Sequence, residues 1–360
     1  MQFEDKKLFE NKRVLVTGGT GSLGKVLVSR ILSAEMGTPA SVIVMSRDEG
    51  KQHEMRLHYL HKKASTDEVI FNNFNNLLRF FIGDVRDYAD VCRALANTDI
   101  VINAAALKQV PTCEYFPEQA VLTNCVGAQN IVRAINEHQY PVEIVVGVST
   151  DKAAKPVNVM GMTKAIQERI FIAANIFTPK TKFVCVRYGN VLASRGSVIP
   201  LFHEQIKHQQ AVTITHPEMT RFLMSLNQAV DVIFAAILGH PGEIFIPNAP
   251  SAYIHDIAKA LIAERENEIT ITGLRPGEKM HEVLVSEEEC HHTSMRGNYY
   301  VIHPMLPELQ DRYKGLEPVL TEELSSANNI ISLEETRSLL AFHGLLIGQK
   351  RKIDDFEMLG

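Results

Sequence analysis

Arg13-Val14-Leu15-Val16-Thr17-Gly18-Gly19-Thr20-Gly21-Ser22-Leu23-Gly24 is the stretch that decides the fold. Its first five residues have the short apolar run of a buried strand, and a helical pattern runs from Lys25 towards Ser33. The order strand, glycines, helix is the setting in which a dinucleotide fingerprint works. Gly18 makes the tight turn, Gly21 lets a pyrophosphate reach backbone N–H groups at the helix start, and Gly24 lets helix and strand pack closely. Gly18, Thr20, Gly21, Ser22, Leu23 and Gly24 are therefore the expected cofactor contacts.

Ser41–Met45 is a second strand, and the residues at its C-terminal end select the cofactor. A carboxylate there suits the ribose 2′-hydroxyl of NAD, whereas a cation suits the 2′-phosphate of NADP. Ser46, Arg47 and Lys51 stand at that end, and with Asp48 and Glu49 turned to solvent they predict NADP. The run from Lys51 to Thr66 reads as a helix with His53, His58 and His61 on its surface, and Asn72, Asn73, Asn75 and Asn76 read as loop. Phe80-Phe81-Ile82 makes a third strand that ends in Gly83-Asp84-Val85. Asp84, beside Val85, either bonds the adenine amino group or caps the next helix, a role for which Asp87 also qualifies. A fourth strand, Ile100–Asn103, closes with Ala104, Ala105 and Ala106, small enough for the backbone to lie against a flat cofactor. Lys108, at the cofactor's edge, and Glu114 can face a substrate. A long helix from Pro117 to Glu137 carries Asn124 in its interior, where asparagine is intrinsically disfavoured, so it is expected to tie down a neighbouring strand beside the cofactor.

Ile144–Val148 and Lys182–Val186 add a fifth and sixth strand, so strands and helices alternate. The fold class predicted is α/β, a Rossmann-like doubly wound parallel sheet with a smaller C-terminal substrate-binding lobe. The expected division is 1–190 for the cofactor domain with 218–242 returning to it, 191–217 and 243–345 for the lobe, and 346–360 for a charged tail. Chemistry belongs at the strand ends, and the fifth strand runs into Ser149-Thr150-Asp151-Lys152, then into a helix that carries Met160 and Lys164. A hydroxyl, a carboxylate and two ammonium groups gathered there can do acid–base work. Three irregular segments, around Tyr188-Gly189-Asn190 to Val198, around His216 to Phe222 and around Gly273 to Lys279, each bring an arginine: Arg195, Arg221 and Arg275. Together they suit a diphosphate, which guanidinium groups bind bidentately; singly, each is equally a surface ion pair.

Composition excludes several classes. The net charge of −5 lacks the basic excess of a nucleic-acid binder. No apolar run reaches the length of a membrane span. The N-terminal MQFEDKKLFENK contains acids and has no apolar leader core, so a cytoplasmic protein is expected. The five cysteines are odd in number and form no CxxC pair, and His291-His292 point apart, so reduced thiols and no metal are expected.

TGGTGSLG, SRDEGK, NAAALKQVPTCEYFPEQA, VSTDKAAKPVNVMGMTK, RYGNVLASRGSVIP, HPEMTRF and LRPGEKMHE together resemble the UDP-N-acetylglucosamine 4,6-dehydratases and related capsule-type polysaccharide biosynthesis enzymes, a branch of the extended short-chain dehydrogenase/reductase superfamily. The resemblance runs from Asn11 to Glu288. It implies a lyase that holds NADP as a recycled catalyst and acts on a UDP-sugar. The sugar is oxidised at C4, loses the C5 proton and the C6 hydroxyl as water, and is reduced at C6. Carried onto this chain, the pattern makes Asp151 the acid at C6 and Lys152 the base at C5. It puts Lys164 on the nicotinamide ribose and Thr150 on the C4 oxygen. Asn190, Arg195, Ser197, Val198, Arg221, Arg275 and Glu278 would hold the UDP moiety. A homo-oligomer, dimer or hexamer, is also implied. Most of the superfamily has tyrosine four residues before the lysine; here Met160 stands there, as in a branch of these dehydratases. That substitution fits a C4-epimerase less well. A 5,6-dehydratase, a dehydratase that also epimerises, and a non-catalytic NADP-binding regulator are the alternatives.

Overall fold

A computed structural model describes residues 7–61, 68–192 and 197–349. Six strands alternate with helices in its first half: β1 (Arg13–Thr17), β2 (Ser41–Ser46), β3 (Leu78–Ile82), β4 (Ile100–Asn103), β5 (Ile144–Val148) and β6 (Lys182–Val186). Between them lie α1 (Ser22–Leu32), α2 (Glu49–His61), α3 (Glu68–Leu77), α4 (Tyr88–Leu95), α5 (Val110–Tyr115), α6 (Pro117–Ala120), α7 (Gly127–His138) and α8 (Val159–Phe177). The rest comprises β7 (Asn190–Val191), α9 (Val198–Lys207), β8 (Val212–Ile214), β9 (Thr220–Met224), α10 (Leu226–Ile237), β10 (Ile244–Pro247), β11 (Ser251–Tyr253), α11 (Ile254–Ile262) and β12 (Ile269–Ile271). It ends with β13 (Val283–Val285), α12 (Glu287–Cys290), β14 (Thr293–Arg296), β15 (Tyr299–Ile302), β16 (Leu324–Ser325) and α13 (Leu333–Phe342).

The main sheet has nine strands in the order β14-β15-β10-β6-β5-β4-β1-β2-β3. From β10 to β3 its pairings are parallel, and β15 and β14 complete it antiparallel. Strand order reverses between β1 and β4, which opens a crevice at their C-terminal ends. One face packs α1 and α10 through Leu27, Ile31, Ile233 and Phe234; the other packs α4, α7 and α8 through Leu95, Ile131 and Phe171. The doubly wound architecture is thus the one expected. A separate core of Phe202, Ile214, Ile257, Leu261 and Leu340 forms the smaller lobe around α9, α11 and α13.

Four local expectations are corrected. The asparagine-rich segment at 72–76 is helix α3, because Ile70, Phe74 and Leu77 recur at helical spacing and pack on the core while Asn73 donates to the Leu32 carbonyl at 2.7 Å. The 216–222 loop ends in a strand, Thr220–Met224, every residue of which is buried. Residues 243–345 do not all join the lobe: Ile244–Pro247 and the hairpin Thr293–Ile302 extend the main sheet. The buried Ile244-Phe245-Ile246 run is what an interior parallel strand needs on both faces. The long helix from Pro117 is interrupted by a π-helical turn, Val121–Val126, between α6 and α7.

That turn holds Asn124, which is fully buried. Its side chain accepts from the Leu107 N–H at 2.9 Å and donates to the Leu107 carbonyl and to Thr163 Oγ1, each at 3.0 Å. It fastens the loop after β4 to α8. All five cysteines are free thiols. Among the described residues no group of His, Cys, Asp and Glu is arranged for a metal, and no helix is long and apolar enough to cross a membrane. His53 is exposed and His58 half-buried; the side chain of His61 and the 350–360 part of the tail lie outside the described residues.

Candidate active site

A cleft of about 640 Å³ runs along the C-terminal edge of the sheet. At its floor β5 ends in a rigid corner: Ser149 N–H donates to the Val186 carbonyl at 2.7 Å and Asp151 N–H to the Tyr188 carbonyl at 3.0 Å. Thr150 caps a short 3₁₀ turn, Asp151–Ala153, and its hydroxyl donates to Asp151 Oδ1 at 2.9 Å. Asp151 is fully buried, and its Oδ2 has no partner. Lys152 Nζ lies 3.0 Å from Asp151 Oδ1 and 3.1 Å from Glu282 Oε1. Burial pulls the Lys152 ammonium down, but Asp151 and Glu282 outweigh it, and its pKa is raised overall.

Helix α8 forms the next wall. Asn158 caps it through Oδ1 and donates to the Gly277 carbonyl, so one residue joins the helix start to the lobe loop. Gly161 is required because α8 crosses this corner too closely for a side chain: a Cβ there would sit 2.1 Å from the Lys152 carbonyl oxygen. Gly161→Ala is expected to cost about 1–3 kcal/mol of stability. The displaced Lys152 should also lower turnover by about a hundredfold, read by urea titration and steady-state assay. Met160 packs with Cys113 and Ala120 and presents a thioether wall to the cleft. Lys164 Nζ donates to Gln167 Oε1 at 2.6 Å, and Gln167 in turn donates to the Val148 carbonyl. Burial lowers the Lys164 pKa to about 8, so its positive charge is present below that pH and fades above it.

The other arm of the cleft is lined by Gly18, Gly21, Ser22, Leu23 and Gly24, by Lys51, and by Ala104, Ala105, Ala106 and Lys108. Gly18 has φ +66°, and a Cβ on it would lie 2.8 Å from Ala105, so the loops after β1 and β4 meet only through glycine. Helix α1 has Gly21 at its N-cap and no side-chain cap, the setting in which a helix N-terminus suits an anion. Thr20 and Ser46, behind this surface, bond each other at 3.1 Å. Arg47 is exposed, 3.8 Å from Asp84. Asp48 accepts from Lys51 N–H and pairs with Lys51 Nζ at 2.8 Å. The helix-cap question at Asp84 resolves: Asp87 caps α4, while the Asp84 carboxylate accepts from the Arg86 side chain and N–H. Val85 is buried against α7. Asn124 is spent on Leu107 and Thr163 and does not line the cleft.

On the lobe side Asn190, Ser197, Arg221, Arg275 and Glu278 reach the cleft, and Val198 begins α9. Arg221 is nearly buried and donates to the carbonyls of Thr220, Lys279 and Met280, which makes it a brace for the 273–282 loop. Arg275 is exposed, and Glu278 Oε2 accepts from its N–H. Glu114 does not line the cleft: its carboxylate accepts from Val159 N–H at 2.7 Å and holds the start of α8. Arg195 lies outside the described residues. Sequence reading missed Glu282, Tyr188 and Ser149, all lining the cleft. Glu282 could have been found as a lone carboxylate directly before Val283-Leu284-Val285, since a buried charge needs a partner.

A family model described as polysaccharide biosynthesis protein matches residues 14–304. Proteins called UDP-glucose 4-epimerase from Rickettsia bellii and Rickettsia massiliae are each 44% identical over 345 residues, covering 92% of this chain and 96% of theirs. The X-ray structure of Pen from Bacillus thuringiensis is similar with a TM-score of 0.83 at 36% identity, over 94% of this chain and 99% of that one. DesIV, a dTDP-glucose 4,6-dehydratase from Streptomyces venezuelae, shares the fold at a TM-score of 0.62 and 21% identity, over 74% of this chain and 86% of its own.

Proposed function

Because the chain belongs to the polysaccharide biosynthesis protein family, we propose that it is an NADP-dependent nucleotide-sugar 4,6-dehydratase. Its substrate in this reading is UDP-N-acetylglucosamine and its product a UDP-4-keto-6-deoxy-N-acetylhexosamine. The observation that carries the reading is the buried bridge Asp151–Lys152–Glu282 on the cleft floor. Elimination of water needs a base at C5 and an acid at O6 at once. Lys152 and Asp151, 3.0 Å apart, supply that pair. The residues also fit the cofactor: the uncapped α1 start suits a pyrophosphate, and Arg47 and Lys51 suit a 2′-phosphate, which would draw Lys51 from Asp48, while Ser46 backs them from the buried side. When bound, NADP supplies oxidation at sugar C4 and reduction at C6. Lys164 then holds the nicotinamide ribose, Thr150 the C4 oxygen, and Met160 and Ala104–Ala106 keep water from the ring faces. Arg275, Asn190, Ser197 and Glu278 are the contacts assigned to the UDP moiety, with Lys108 at the phosphate edge and Arg195 assigned by the resemblance alone.

A 4-epimerase is the second reading, favoured by the names of the Rickettsia relatives. That reaction needs one acid–base group at O4 and has no use for a second pair, and the Met160 thioether offers no proton. Incubation with UDP-N-acetylglucosamine and, separately, UDP-glucose, then NMR and mass spectrometry, separates the two. A product lighter by one water with a C4 ketone is expected; an isomer of unchanged mass overturns the dehydratase reading. A self-associated enzyme would cover Met162, Ile166 and Phe177, exposed on α8, and a monomer in sedimentation would rule that assembly out.

A further inference from the structure

Lys152 has a second carboxylate partner that the acid–base pair does not account for. Glu282 comes from the loop before β13, far from Asp151 in sequence, and its side chain is 2% exposed. Its Oε1 lies 3.1 Å from Lys152 Nζ but 3.9 Å from Arg221 Nε, beyond hydrogen-bond reach. Its Oε2 is buried without a partner. The Nη atoms of Arg221 are committed to three carbonyls and Lys279 to the Ala154 carbonyl at 2.8 Å, so Lys152 is the one of the three that hydrogen-bonds Glu282, with the Arg221 Nε at longer range. The backbone fixes the arrangement: Glu282 N–H donates to Ser326 Oγ at 2.9 Å and Ser326 N–H returns to the Glu282 carbonyl at 2.8 Å.

We infer that Glu282 is the positioning residue of the elimination: from across the cleft floor it holds Lys152 and supplies the counter-charge to its amine while Asp151 is neutral. The inference rests on the dehydratase reading and extends it. A proton passes from Lys152 to Asp151, breaking N–H and forming O–H. The free amine takes the C5 proton, and the electrons of that C–H bond become the C5–C6 double bond as C6–O6 breaks. Asp151 gives its proton to O6, which leaves as water, and both residues end as they began. In the middle of this sequence Asp151 cannot be acid and anion together. Positive charge then builds on Lys152 with Glu282 as its facing carboxylate. Lys279 and Arg221 oppose that charge from the lobe side, and Asp151 favours it only once it is a carboxylate again.

The test uses the NADP-loaded enzyme and two readouts. Carbon-13 labelling at lysine Cε, with the Lys152 signal assigned by its loss in Lys152→Met, reports the charge on that amine. In the wild type Lys152 should titrate above an ordinary lysine, and in Glu282→Gln it should titrate lower. Turnover of Glu282→Gln should fall about ten- to a hundredfold with KM nearly unchanged. The alkaline limb of its pH–rate profile should move to lower pH, because a less basic amine sooner loses to solvent the proton that the pair must pass to O6. Glu282→Asp should restore part of both. A wild-type Lys152 that titrates below an ordinary lysine overturns the inference, whether or not any variant folds. An unchanged titration in Glu282→Gln, or a rise in KM with turnover intact, does so as well. If the wild type merely inverts C4, the dehydratase reading fails, and the Lys152 titration still decides whether Glu282 sets that charge.

Discussion

Lys152→Met should abolish water elimination, by about a hundred- to ten-thousandfold in turnover, with NADP still bound. Methionine keeps the length of the side chain and removes the amine, so the loss reports chemistry more than packing. Asp151→Asn should do the same, since the amide keeps the shape but cannot hand a proton to O6. Neither residue belongs to the glycine loop or to the end of β2, the segments proposed to hold the cofactor, which is why cofactor content should survive. Turnover by product NMR, with released NADP measured after denaturation, checks both. Full activity in either variant would falsify the role assigned to that residue. Loss of NADP together with activity would instead mark the pair as cofactor ligands.

Arg187→Met carries the largest expected cost to stability. Arg187 is 1% exposed at the end of β6 and donates to both carboxylates that flank it, Glu168 at 2.7 Å and Glu289 at 2.7 Å, and to the Leu284 carbonyl at 2.8 Å. It ties α8, which carries Lys164, to the segment just beyond Glu282. Removing it strands two buried carboxylates, at a cost of about 3–5 kcal/mol. Burial alone pushes the Glu289 carboxylate up, and in the native protein Arg187 reverses that and holds it below the usual range. A depressed pKa contributes stability above the unfolded-state pKa and loses it as pH falls through the folded one. In the variant Glu289 loses that support and burial raises its pKa, so the deficit should be widest at neutral pH and narrow in mild acid. Urea unfolding at the two conditions reads the difference. An equal deficit at both would show that lost packing, and not stranded charge, is responsible.

Much of this was legible in the chain because local rules and tertiary demands agree. The run Arg13–Gly24 needs a strand, a left-handed glycine and an open helix start, and each requirement sits in neighbouring residues. The corner Thr150-Asp151-Lys152 was legible as polar residues just beyond a buried strand, since the crevice of an open α/β sheet lies outside its strands' C-terminal ends. The asparagines of α3 misled because their loop preference is weak beside an apolar stripe that packs on the core.

Residues close together in the chain are enough to specify the doubly wound sheet, the glycine loop and the polar corner that carries Asp151 and Lys152, because all of these depend on contacts within a strand–turn–helix unit. The surroundings of that pair were set by the packed fold. It spent Asn124 on Leu107, Glu114 on Val159 and Arg221 on the 279–280 carbonyls, because a buried polar group takes whichever partner the fold brings within reach. It also carried Glu282 to Lys152 across 130 residues of chain. No local pattern encodes that meeting, since it exists only once β5 and the 273–282 loop close over the same floor.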